Sequence, residues 1–284
     1  MLDSAARPTP LKILRAPAFT PAALLFGLRE LAAYGDLLYT LSLHRIHVRY
    51  KQSMLGLAWA IVQPFALMLI YTVIFSVFTR IPTNSPVPYA VFVYAALLPW
   101  TFFATAVSNS ATSLVNNSQL ITKVYFPREI LPLTYVIAAL FDLLAAGAVL
   151  AGMMLYFRVA VTPAILYAIP ILLLAFAFAV SLGLLLSIVQ VRFRDIGLAM
   201  PLLLQIWMFA TPVVYPLSTV PARYRPFYDL NPMVGVVEGF RRSVLEGAAP
   251  EWAPLRTAAL ITLFLLVATY LLFKHREATM ADII

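Results

Sequence analysis

Residues 120–157 read LITKVYFPREILPLTYVIAALFDLLAAGAVLAGMMLYF, and the two parts of this stretch make opposite demands. From Leu133 to Phe157 the chain is apolar apart from one charge, Asp142. As a helix rising about 1.5 Å per residue, it is long enough to cross roughly 30 Å of hydrocarbon. Lipid offers no water to backbone N–H and C=O groups, so a run of this kind must pair its own backbone as a helix. Immediately before it, Lys123, Arg128 and Glu129 gather around Pro127, in a chain where only 11% of residues are charged. The stretch therefore predicts a charged turn feeding a membrane-spanning helix.

The same pattern recurs outward in both directions. With 62% hydrophobic residues and a mean hydropathy of +0.89, the chain has too few polar residues to cover soluble globules. Apolar runs at about 58–78, 90–110, 133–157, 163–189, 197–215 and 255–273 predict six transmembrane helices in an all-α polytopic membrane protein. The runs are too long and too unalternating for barrel strands. No signal peptide is read in the first 57 residues, and no repeat or linker divides the chain. The absence of cysteine excludes disulfides and thiolate chemistry.

Basic residues orient the spans. With the N-terminus inside, the inner segments hold 13 of the 20 Lys and Arg residues. Five of the other seven lie in or beside one long connection, where the rule weakens, so the short loops place both termini and LITKVYFPREIL in the cytoplasm. The net charge of +8 then expresses this bias and not nucleic-acid binding, since no soluble basic domain exists to perform it.

Ahead of the first span, Leu43, Ile46, Tyr50, Met54 and Leu57 fall on one side of a helix, with Arg45, Arg49 and Gln52 on another and Lys51 beside them. This predicts an amphipathic helix at the membrane surface, its basic residues facing headgroups or a partner, or else a plain basic anchor. His44 and His47 lack a nearby carboxylate and read as solvated, so no metal site is expected. In the connection 216–254, Asn231-Pro232 opens and Gly247 closes a short helix with one apolar side. Glu238 is spaced to pair with Arg241 or Arg242. Too short to span, this helix lies at the outer interface or dips back into the protein, as a cap or as a gate. Asp142 costs about 2.5–3.5 kcal/mol at hydrocarbon depth, so it marks either a functional site or a hydrogen bond to a neighbouring helix. Tyr71, Phe75 and Phe78 form a stripe on the first span, read as packing or as the lining of a translocation path.

No GxxxxGK[ST] loop is present to bind ATP, and no Ser/His/Asp set or paired carboxylates suggest an enzyme. A stand-alone secondary carrier would need intramembrane charges and a repeat; a membrane glycosyltransferase would need clustered carboxylates. Three motifs in order, RYKQSMLGLAWAIVQP (49–64), NNSQLITKVYFPREILPL (116–133) and LNPMVGVVEGFRRSVL (230–245), resemble the transmembrane permease of bacterial ABC exporters for O-antigen and related cell-surface polysaccharides. The resemblance covers nearly all of the chain from about residue 35.

That resemblance implies a permease homodimer in the bacterial inner membrane with two separate ATPase subunits. ATP and magnesium would bind the ATPase, with no cofactor in this chain, and the cargo would be a glycan on polyprenyl pyrophosphate; a capsule or teichoic acid exporter is the alternative. It divides the chain into a tail (1–35), an interface helix (36–57) and a six-helix domain (58–284), with a coupling segment at 116–128 and an external gate at 231–246. Leu120, Ile121, Lys123, Val124, Tyr125, Phe126, Pro127 and Arg128 then form the ATPase-docking knob. Pro127 supplies a sharp corner there, and Ile121, Val124, Tyr125 and Phe126 are expected to bury in an apolar cleft of the partner. Glu238, Phe240, Arg241 and Arg242 become gate residues.

Overall fold

The computed structural model describes residues 21–51, 54–56, 58–78 and 87–283. The expectations for residues 1–20, Gln52, Leu57 and Arg80 lie outside the described residues. The described chain is helical throughout, without strands. Two helices, α1 (Pro21–Ala33) and α2 (Gly35–Lys51), precede the first span. That span is α3 (Ala58–Tyr71), continued by wider π-helical turns over Thr72–Phe78. It is followed by α4 (Tyr89–Ala111), two short helices α5 (Ser113–Asn116) and α6 (Ser118–Lys123), and α7 (Ile130–Tyr156). After a single tight turn over Pro163–Tyr167 come α8 (Ala168–Arg192) and α9 (Ile196–Phe209). The chain ends in α10 (Arg225–Asp229), α11 (Pro232–Leu245) and α12 (Trp252–Ile283).

Among the described residues, five helices are long and apolar enough to cross a membrane. The sixth expected span, 197–215, is shorter than its apolar run because α9 stops at Phe209. Beyond it the chain turns: the Thr211 hydroxyl donates to the Trp207 carbonyl, and Pro212 cannot extend a helical hydrogen-bond ladder. Pro64, Pro99 and Pro201 sit inside α3, α4 and α9, where neighbouring helices and local widening accommodate the lost bonds.

At the centre lies α4, buried along nearly its whole length and packed against α3, α7, α8, α9 and α11. Its composition explains this position, since Ala95, Ala96, Ala106 and Ser110 let other backbones approach closely where lipid would provide no hydrophobic drive. Opposite Ser110 stands Gly183 of α8, where a Cβ would lie 2.8 Å from the Ser110 Cβ. The aromatic core of this contact is the stacked pair Phe103 and Phe178, 5.2 Å between centroids, edged by Trp207. A second packed layer joins α8, α11 and α12, while α2 runs along α7.

Candidate functional site

Between α4 and α7 the chain makes a compact elbow. Asn117 separates α5 from α6 and donates through Nδ2 to the Ser113 carbonyl at 2.6 Å. Beyond α6 the backbone is extended at Val124, and Pro132 occupies the first turn of α7 as its fixed φ favours. The eight docking residues divide here. Val124 and Tyr125 are 53% and 49% exposed, and Lys123 is exposed as well. Ile121, Phe126 and Pro127 turn into the protein's own core, with Leu120 and Arg128 half-buried. The expectation that Ile121 and Phe126 face a partner is therefore corrected. Both are anchors that hold the elbow to the bundle, because an apolar side chain at a tight corner is satisfied first by its own core. The backbone N–H of Arg128 donates to Glu277 Oε1 at 2.8 Å, and its guanidinium donates to the Glu277 carbonyl at 2.7 Å.

Helix α2 also differs from its predicted faces. Leu43 is exposed on α2, as is Met54 beyond its end, whereas Arg45 reaches inward, donating to Asn117 Oδ1 and lying 4.4 Å above the Tyr135 ring. Arg49 and the Tyr50 hydroxyl both donate to the Asp142 carboxylate, and Lys51 remains exposed. The reason is electrostatic: a carboxylate twelve residues into α7 needs cationic and hydroxyl donors, and α2 lies alongside to supply them. Asp142 thus meets a neighbouring helix, through a cation expected to face headgroups or a partner.

Arg49 stands between two openings. One, of about 270 Å³, lies toward Trp59, Thr101 and Asp142. The other, of about 310 Å³, is lined by amides and hydroxyls, among them Gln63, Thr101, Thr105, Asn109 and Gln205, beside Tyr71 and Trp100. These neutral amides and hydroxyls can both donate and accept hydrogen bonds, whereas the Tyr71 and Trp100 rings beside them are buried. Of the predicted aromatic stripe, Tyr71 borders this groove and contacts Phe75 and Phe209 at 6.2 and 6.5 Å. Phe75 packs against the core, and Phe78 is 76% exposed.

At the other end of α4, α11 dips into the bundle, with 12 of its 14 residues buried. Asn231 caps it by accepting from Met233 N, accepts also from the Trp207 indole at 3.1 Å, and donates to Thr211 at 2.9 Å. Arg241, 1% exposed, donates to Glu238 and to the carbonyls of Pro212 and Val213, with its guanidinium 3.8 Å from the Phe92 ring centre. Glu238 accepts in turn from Leu217 N. Glu238 therefore selects Arg241, and Arg242 pairs with Glu251 at 2.8 Å. Phe240 is buried.

The sequence reading passed over Asn117 and the groove amides, because isolated neutral residues on apolar helices have no spacing signature. It counted Lys274 only as a topogenic charge, though its place at the end of a span, like that of Glu129 at the start of one, was visible.

The elbow, α11 and all but the first two residues of α2 fall within residues 37–245, which match the family described as ABC-2 type transporter. The chain is 32% identical over 257 residues to the O-antigen export system permease protein RfbA of Myxococcus xanthus, covering 89% of this chain and 97% of that one. A protein of the same name from Klebsiella pneumoniae is 31% identical over 164 residues, 57% of this chain and 61% of that one. With most of its length matched and its helices arranged as a polytopic bundle, the chain belongs to the ABC-2 type transporter family.

Proposed function

We propose that the chain is the membrane-spanning half of an ATP-driven exporter that carries O-antigen polysaccharide on polyprenyl pyrophosphate across the bacterial inner membrane. Two copies form the path, and two separate ATPase subunits, binding ATP and magnesium, drive it from the cytoplasmic side, where both termini lie. The observation that supports this most is the 32% identity, over nearly all of both chains, to a protein named as an O-antigen export permease. The amides and hydroxyls of the groove agree with a sugar polymer held by many weak contacts. Val124 and Tyr125, exposed just ahead of the buried Phe126 and Pro127, offer an apolar docking surface with Lys123 at its edge.

Docking is tested by V124A/Y125A in the co-expressed complex. Aromatic anchors dominate such interfaces, so the double substitution should weaken ATPase association about tenfold or more, while the amount of inserted permease stays unchanged. ATPase recruitment and surface glycan at wild-type levels in this variant would overturn the docking role.

A further inference from the structure

Beneath the docking elbow, three elements distant in sequence meet around one ammonium group. Lys274 of α12 lies 2.7 Å from Glu129, 3.0 Å from Glu277 and 3.5 Å from Glu30 of α1. The Tyr270 hydroxyl donates to Glu129 at 3.3 Å, and the Tyr125 hydroxyl donates to Glu30 at 3.2 Å. Arg128 holds Glu277 from the elbow side through both its backbone N–H and its guanidinium. Lys274 and Glu129 are buried, Glu129 completely. The second Glu129 oxygen finds no donor among the described residues. At Gly27 of α1 a Cβ would sit 2.4 Å from the Tyr270 hydroxyl and 2.9 Å from Lys274 Cε, so α1 lies close against the Tyr270 and Lys274 side chains of α12.

Stability alone does not call for this arrangement. Buried ion pairs are commonly matched or surpassed by apolar side chains of equal volume, because desolvation offsets the attraction. What such a cluster does supply is fixed register among the parts it joins, and here those parts are the elbow, α1 and the last span. We propose that Lys274 is a positioning residue for transport: with Glu30, Glu129 and Glu277 it clamps the elbow to α1 and α12, so that displacement of the elbow carries both helices with it. The transport role of this clamp rests on the reading of the elbow as the ATPase-docking element.

The test uses the full chain reconstituted in lipid, with and without its ATPase. The natural absence of cysteine allows spin-label pairs to be introduced cleanly, Thr122→Cys with Phe26→Cys on α1 and Thr122→Cys with Phe264→Cys on α12; all three positions are exposed. The clamp is opened by Lys274→Met together with Glu129→Gln, which leaves no buried carboxylate facing an apolar side chain and so protects insertion. In the otherwise unaltered chain both distance distributions should be narrow, and both should broaden in the opened variant. Glycan transported per ATP should fall about tenfold, with the ATPase still co-purifying. Unchanged distances, or a wild-type transport ratio in the opened variant, would overturn the clamp. Should the ATPase fail to associate with the unaltered chain, the docking reading fails instead, and the distances measured without ATPase still decide the clamp.

Discussion

Arg241 holds its charge inside the bundle through a carboxylate, two carbonyls and an aromatic face. Truncation removes this set at once and leaves Glu238 without its cation. Arg241→Ala should therefore lower stability by about 3–5 kcal/mol, read as a depressed unfolding temperature in detergent. At the elbow, Glu129 behaves oppositely to an ordinary surface carboxylate. Burial first, and the nearby Glu277 second, push it up to about 7 against the pull of Lys274. Its folded-state value thus exceeds the unfolded one, so between about 4.5 and about 7 the folded chain holds the extra proton. Stability contributed by neutral Glu129 is present below that window and is lost as pH rises through it. A pH series of thermal unfolding should show this decline in the natural chain and a flatter profile in Glu129→Gln.

Among the elements, the crossing of α4 and α8 sets the tightest tolerance. Gly183→Ala drives a methyl to 2.8 Å from the Ser110 Cβ and should cost about 1–3 kcal/mol, with Ser110→Gly in the same chain recovering most of the loss. Detergent unfolding of the single and double variants measures both effects. Elements of this kind are legible in the sequence where a long apolar period stands alone: α4, α7 and α8 emerge within about five residues of the expected spans, α12 starts within three residues of its span but continues ten residues past it, and Asn231-Pro232 marks the start of α11. What stayed hidden depends on which helix lies beside which. That Arg45 and Arg49 turn toward α7 and that Phe126 anchors inward both follow from tertiary neighbours. Periodicity reports a helix's own faces and not the partner each one meets. Groove residues such as Gln63 and Gln205 are legible only once α3 and α9 are seen to border the same opening.

For the whole molecule, the unequal heights of its helices have a consequence in the lipid. The 14 residues of α9 rise about 21 Å, two thirds or so of the roughly 30 Å hydrocarbon thickness, and its face carries exposed Leu198, Leu202, Leu203 and Ile206. A bilayer pressed against that flank is too thick for it by several ångströms, at a cost of a fraction of a kcal/mol per ångström. Set against lipid, that flank would act as a wedge of mismatch, drawing the two leaflets toward each other beside it. Reconstitution into lipids of graded acyl length should show export optimal in thinner membranes, and lengthening the α9 flank by insertion of one apolar turn should move that optimum toward longer chains.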